Sequence, residues 1–234
     1  ENISLVDYYN YDMGDRKYYF FKENFITHTE AMLFLINKCF MEMDYEIVYN
    51  TNLDDYYSLD RFEVQNKCVE DGYILCSSLM NYIREDDNGF DKEEMKWKAE
   101  TYSMYCDDND EYVNIKEIKN QLNKDHNVIN HSCVCYTRKF WYSHDEYDNL
   151  LRYRDDKPFE DLSLWQRATN VHDNITIINQ ALIEYRLHDN SIGEQQKKFI
   201  EKVDLDEGTD RGFNNKKSTD KKRIGIFLIG TGKY

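Results

Sequence analysis

Basic charge is in short supply. Lys and Arg total 30 against 45 Asp and Glu, a formal net charge of −15 over 234 residues. A nucleic-acid duplex requires a basic footprint on its partner and an anionic membrane surface requires the same, so neither is an expected partner. No apolar run reaches the roughly 18 residues a transmembrane helix needs, and no secretory leader opens the chain. The six cysteines include no Cys-x-x-Cys pair, and no Cys/His spacing suggests zinc. Buried free thiols in a reducing, cytoplasmic compartment are the expectation, although an even number leaves disulfides open. Cys133 and Cys135, on one expected strand, would share a face. Proline occurs once, at Pro158, amid heavy use of Asn, Asp, Lys, Ile and Tyr. Such usage follows AT-rich coding more than physical selection, so the tyrosines are not read as a carbohydrate platform on their number alone. Internal repeats are lacking, and so is an initiating Met; the chain is read as a piece of something longer.

The stretch at residues 45–65, YEIVYNTNLDDYYSLDRFEVQ, is unusual. A β-type run, Ile47-Val48-Tyr49, leads into Asn50-Thr51-Asn52-Leu53-Asp54-Asp55. Adjacent carboxylates at the end of a buried strand repel each other and cost on the order of several kcal/mol unless a cation or donors meet them. A hard divalent metal carrying phosphate oxygens is one solution. Residues two apart on a strand face the same way, so Asn52 and Asp54 could converge on one ion. The bland reading is a turn rich in Asn and Asp.

Around it the pattern alternates. Thr27 or Thr29 can cap a helix over 30–40. A helix over 60–71 ends at Gly72 and a buried strand follows at 73–80, giving a βαβ-like unit. A helix is expected at 113–122, a strand at 128–136, a helix at 161–169, short strands at 174–178 and 182–187, and a helix at 192–203. A short strand is a candidate at 3–6, and the aromatic-rich 17–25 could be extended or a short helix. The class is α/β. Residues 1–203 read as one domain. Residues 204–222 are a polar linker without an apolar face. The apolar run at 223–230 looks like the first strand of a following domain. Its Gly230-Thr231-Gly232 superficially matches a dinucleotide fingerprint but lacks the third glycine and the helix.

Three further constellations carry chemistry. Glu160-Asp161 opens a helix, where the dipole alone would explain them, or where one serves as a general base. Arg186 and His188 end a strand and suit phosphate or metal, or a plain surface role. Asn130-His131-Ser132 is a polar triplet after Val128-Ile129. Adjacent strand residues point to opposite faces, which argues against a Ser/His hydrolytic pair.

In this order the segments resemble the inverting family 2 glycosyltransferases of GT-A fold. NTNLDD (50–55) resembles their "LDADD" element, PFEDLSLWQRA (158–168) their "EDxxLWxR" element, and LIEYRLHDNSI (182–192) their "YRxHxxS(I/V)" element. HTEAMLFLINKCF (28–40) and NHSCVCYTRKF (130–140) resemble the helix before the acidic motif and the strand before the base. The likeness spans about 28–192. It implies a mixed GT-A-like sheet flanked by helices, and transfer of a sugar from a nucleoside-diphosphate donor to a glycan or other hydroxyl acceptor. It implies Asp161, beside Glu160, as catalytic base. Asn52, Asp54, Asp55, His131, Arg186 and His188 would bind the nucleotide-sugar, and Asp54, Asp55, Asn52 and His188 would hold Mn²⁺ or Mg²⁺. Asn52 stands where the family usually has Asp. The family's opening strands, with an "IPTYN"-like turn, have no counterpart before residue 28, so the nucleotide-binding edge is expected to be incomplete. KKRIGIFLIGTGKY (221–234) resembles the start of a family 6 glycosyltransferase, which implies a second transferase domain in the parent chain. A non-catalytic glycan- or partner-binding module of the same fold is the alternative.

Overall fold

A computed structural model describes residues 27–52, 55–86, 89–91, 109–154, 160–187 and 226–231. Expectations for residues 1–26, 53–54, 87–88, 92–108, 155–159, 188–225 and 232–234, the opening Pro158-Phe159 of the 158–168 element among them, lie outside the described residues.

Helix α1 (His28–Asn37) starts at Thr27, whose hydroxyl accepts from the Glu30 N–H while the Glu30 carboxylate accepts from the Thr27 N–H. This reciprocal capping box satisfies two donors that a helix start leaves open. A π-turn (Lys38–Glu42) continues it and buries Cys39 and Phe40. Strand β1 (Ile47–Asn52), the short β2 (Tyr56–Tyr57) and helix α2 (Arg61–Glu70) follow. Gly72 takes φ 102°, a left-handed geometry that suits glycine, and turns the chain into β3 (Leu75–Asp86). β3 pairs with β4 (Gly89–Asp91) through its distal end.

The later elements are α3 (Ile115–Leu122), a 3₁₀ turn (His131–Cys133), β5 (Cys135–Thr137), the single-turn α4 (Arg138–Trp141), α5 (Glu160–Val171), β6 (Ile175–Leu187) and β7 (Ile226–Thr231). Two expectations are corrected here. The strand expected at 128–136 is regular only from Cys135, because Asn130 caps the 3₁₀ turn by accepting the Ser132 N–H at 3.2 Å. The two strands expected at 174–178 and 182–187 are one: β6 runs through a bulge, where Ser78 faces Ile178 and Leu79 already faces Ala181. Asn179 is held there by donating its N–H to the Glu111 carbonyl and its amide to the Asp110 carbonyl, each at 2.9 Å.

The sheet order is β2-β6-β3-β5-β1-β7, with β4 beside β3. β5 runs antiparallel to both β1 and β3, and β3 runs parallel to β6. β1, β3 and β6 therefore point the same way, with β3 and β6 running on past the end of β1. β1 and β3, read in the sequence as a βαβ unit, share a direction but are separated by β5. The segment expected to open a further domain lies here antiparallel to β1, with Asn52 opposite Ile226 and Ile47 opposite Thr231.

Chain length forces the sheet to curl. From Asn52 to Tyr56 the backbone spans at most about 14 Å. In a flat sheet β1 and β2 would be four strand spacings apart, roughly 19 Å. The sheet closes the shortfall by rolling its carboxyl edge into a cup. Alternation gives it two cores. Val48, Leu75, Tyr136, Ile175 and Ile177 pack with α1, α3 and α5. Tyr49, Cys76, Cys135 and Ile178 pack on the other face with Cys68 of α2, and Cys133 joins Cys135 there. Tight corners outside the helices use Asp44, Asp125 and Asp148, all at left-handed φ near 60° (57°, 59° and 61°). Among the described residues no helix is long and apolar enough to cross a membrane.

Candidate functional site

The cup is closed by Tyr57. Its hydroxyl accepts the Asn52 N–H at 2.7 Å and donates to the Ser132 carbonyl at 3.2 Å. Burial and the Asp55 carboxylate push its pKa up, so it stays a donor. Asn52 gives its side-chain amide N–H to Ser132 Oγ at 2.7 Å. Asn50, two residues earlier on the same face, gives its amide N–H to the His131 carbonyl at 2.7 Å. Both asparagines thus fasten β1 to the 3₁₀ turn. Asp55 is buried, and its Oδ1 accepts the Arg186 backbone N–H at 3.2 Å. The Arg186 guanidinium lies 5.7 Å from the ring centre of the exposed Tyr56 of strand β2.

Beneath the cup sits Arg61, with no solvent exposure. Its Nη2 donates to the Asn50 carbonyl at 2.5 Å, Nη1 to Thr51 Oγ1 at 3.2 Å and Nε to Gln65 Oε1 at 2.9 Å. The guanidinium stacks 4.4 Å from the Tyr57 ring centre. One helical turn on, Gln65 donates to the Cys133 carbonyl at 2.7 Å. Arg61 and Gln65, at i and i+4 of α2, clamp the end of β1 to the 3₁₀ turn.

On the opposite side of that turn stands the acidic start of α5. The His131 ring meets Tyr153 edge-on at 5.4 Å. The Tyr153 and Tyr136 hydroxyls hydrogen-bond each other in the core, and both pKa values are raised, first by burial and also by the nearby Asp161 charge. Asp161 Oδ2 accepts from the Asn127 amide at 2.7 Å and Oδ1 from the Leu162 N–H at 2.8 Å. Two of the lone-pair positions of this half-buried carboxylate are thereby used, and its orientation is set. Glu160, the first residue of α5, lies beside it and adds its charge to the field at Tyr153.

Tyr153 is carried by a loop organised on Asp145. That carboxylate accepts N–H groups from Tyr147 and Asn149 at 3.0 and 2.9 Å and pairs with Arg154 at 3.0 Å and Arg167 at 3.5 Å. Burial works to raise its pKa, but the Asn149 and Tyr147 donors and Arg154 outweigh it and bring it to about 2.

Of the sequence-derived candidates, Asn52, Asp55 and Arg186 come together at the carboxyl edge. Asp161 and Glu160 stand on the far side of the 3₁₀ turn that contains His131. Asp54 and His188 lie outside the described residues. Arg61, Tyr57, Tyr153 and Tyr136 were not singled out from sequence. Arg61 and Gln65 had a signal in their helical spacing at the start of α2.

The donor set bears on a metal. Asn52 uses its amide nitrogen on Ser132, which leaves Oδ1 as its ligating atom, and Asp55 supplies a carboxylate. Both are hard oxygen donors that suit Mg²⁺ or Mn²⁺. Among the described residues no group of three or more His, Cys, Asp or Glu could hold a metal ion. Comparison with family models, with curated proteins and with solved structures gave no match.

Proposed function

We propose that this chain is a GT-A-like glycosyltransferase domain that moves a sugar from a nucleoside-diphosphate donor to a hydroxyl acceptor with inversion. The observation that carries the reading is the meeting of distant segments: Asp55 accepts from Arg186, Asn52 bonds Ser132 of the 131–133 turn, and His131 of that turn meets Tyr153, which feels the Asp161 and Glu160 charges. Ligands of α/β sheets commonly bind at the carboxyl ends of strands. Mn²⁺ or Mg²⁺, held by Asp55, Asp54 and Asn52 Oδ1 with His188 as a further ligand, would offset charge on the leaving diphosphate. Arg186 offers a guanidinium to phosphate oxygens. His131, whose ring meets Tyr153, would contact the nucleotide-sugar from the turn between the donor edge and the base. Asp161, held by Asn127 and Leu162, takes the proton from the acceptor hydroxyl as that oxygen attacks the anomeric carbon from the face opposite the diphosphate. Glu160 keeps the neighbourhood anionic.

The Asn52–Ser132 hydrogen bond favours a second reading, a non-catalytic glycan- or partner-binding module, because it ties up a position where a free carboxylate would serve a metal better. The two separate on one experiment. The chain is incubated with a panel of nucleoside-diphosphate sugars, Mn²⁺ and simple glycoside acceptors, and products are read by mass spectrometry and anomeric NMR. An inverted glycoside supports the transferase. Binding of UDP or glycans without any product overturns it in favour of the module.

A further inference from the structure

Cys76 of β3 and Cys135 of β5 lie directly opposite each other across an antiparallel ladder, beside the pair of Leu75 and Tyr136. Opposite residues of such a ladder project to the same face. Both thiols accordingly lie in the core under α2, where Cys68 joins them. None of the three has any solvent exposure. Their sulfurs are in hydrogen-bonding contact in a row, Cys68 with Cys76 and Cys76 with Cys135. The neighbouring Cys133 is engaged elsewhere, its Sγ accepting from Ser78 Oγ at 3.0 Å. Packing alone does not call for such a row, because a buried cysteine serves as a small hydrophobe whatever its neighbour.

Backbone geometry decides which pair bonds. Opposite residues of an antiparallel ladder have Cα atoms roughly 4.5–5.5 Å apart. A disulfide spans about 4.4–6.8 Å between Cα atoms. The register of the sheet therefore holds Cys76 and Cys135 in the range that a bridge needs. Cys68 reaches Cys76 from α2, but a bridge between those two closes only a short loop and restrains the unfolded chain less. We propose that Cys76 and Cys135 are a redox-sensitive pair that forms a cross-strand disulfide when the chain meets a small-molecule disulfide oxidant such as glutathione disulfide. One cysteine thiolate attacks the oxidant, forms a mixed disulfide and expels one glutathione thiolate. The second cysteine thiolate attacks the protein sulfur of that mixed disulfide and expels the other. Two protons leave the cysteines, and two electrons reduce the oxidant to two thiols. Hydrogen bonding within the row and burial hold the Cys68 and Cys76 thiols well above their ordinary range. The bond therefore forms as the chain folds or when this core opens. Under reducing conditions the pair stays free, as it is here. The bridge would tie β5, which follows the 131–133 turn, to the inner strand β3. It does not depend on the proposed reaction.

The test refolds the whole chain, in a Cys106→Ser background, from urea in glutathione buffers of increasing oxidised fraction. Samples are quenched in acid, free thiols are blocked, and bridged peptides are identified by mass spectrometry. Peptides holding Cys76 and Cys135 should be recovered joined, two hydrogens lighter than the separate pair. The urea unfolding midpoint should rise, by a shift that dithiothreitol abolishes. Cys68→Ser should keep the bridge, and Cys76→Ser should abolish it. If neither variant folds by circular dichroism, the peptide map of the parent chain decides alone. A chain still fully reduced in the most oxidising buffer overturns the proposal. So does a dominant bridge from Cys76 to Cys68, or one that uses Cys39 or Cys133.

Discussion

Asn52 and Ser132 stand 80 positions apart in the chain, yet the Asn52 amide nitrogen reaches Ser132 Oγ at 2.7 Å. The hydroxyl accepts here, and it can equally donate by rotating its proton. Asn52→Asp is therefore accommodated without moving either backbone. It adds one carboxylate to the cup, and affinity for hard cations follows ligand charge. Mn²⁺ affinity measured in the presence of UDP should rise about tenfold. An unchanged affinity would speak against a cation held at Asn52.

Asp161→Asn removes a proton acceptor and keeps the shape of the side chain. If Asp161 is the base, turnover should fall by roughly 10²–10⁴. UDP affinity should stay within about twofold, because Asp161 lies across the 131–133 turn from Asp55 and Arg186. A variant that turns over normally sinks the assignment, and one that loses UDP binding points to a structural role.

Tyr136 and Tyr153 share a hydrogen bond in the core. Removing either hydroxyl strands the other, at roughly 1–3 kcal/mol. Removing both leaves no orphan. The single Phe variants should each be less stable than the double variant, Tyr136→Phe with Tyr153→Phe, in urea unfolding. Additive losses would show that the hydroxyls do not depend on each other.

Asp145 should make the fold acid-sensitive. Its pKa, about 2 in the folded chain, lies below the ordinary unfolded carboxylate value of about 3.9. A depressed folded pKa contributes stability that is complete above the unfolded value and is lost as pH falls through the folded one. Unfolding midpoints should thus drop between about pH 4 and pH 2 in the native chain. Asp145→Asn should be less stable at neutral pH by about 2 kcal/mol, since Arg154 and Arg167 lose their partner, and should show a shallower acid slope. Parallel pH profiles would contradict this.

Cys39, Cys68, Cys76, Cys133 and Cys135 are buried free thiols. Burial pushes the Cys39 thiol up to about 11, which suppresses the reactive thiolate. In a Cys106→Ser background, labelling by a charged thiol reagent should proceed only as fast as the chain unfolds. Rapid labelling of any of the five would mean that one of the two cores opens locally.

Much of this architecture is legible in the amino-acid order. The capping pair Thr27 and Glu30, the stop at Gly72 and the acidic opening of α5 are local signals, decided by neighbours a few residues away. The 3₁₀ turn escaped because the apolar Val128 and Ile129 imitate a strand start, while Asn130 diverts the backbone through a side-chain hydrogen bond. β6 read as two strands because Asn179 and Gln180 look like a turn, and only the long partner β3 shows that they form a bulge. Arg61 was hidden for a different reason. A charged residue in an amphipathic helix ordinarily faces water, and its burial depends on carbonyl and hydroxyl partners of β1 that helical periodicity does not register.

Asp44, Asp125 and Asp148 each hold a left-handed corner that glycine would occupy without strain. An L-residue there costs about 1–2 kcal/mol in the native state. A non-glycine residue also narrows the wandering of the denatured chain, which recovers about 0.4–1 kcal/mol. The second effect offsets part of the first. What Asp adds is a carboxylate: that of Asp44 pairs with Arg138 at 2.9 Å and that of Asp125 accepts from the Gln166 amide at 3.0 Å, so a change to glycine would remove a tie between each of these two corners and a distant helix.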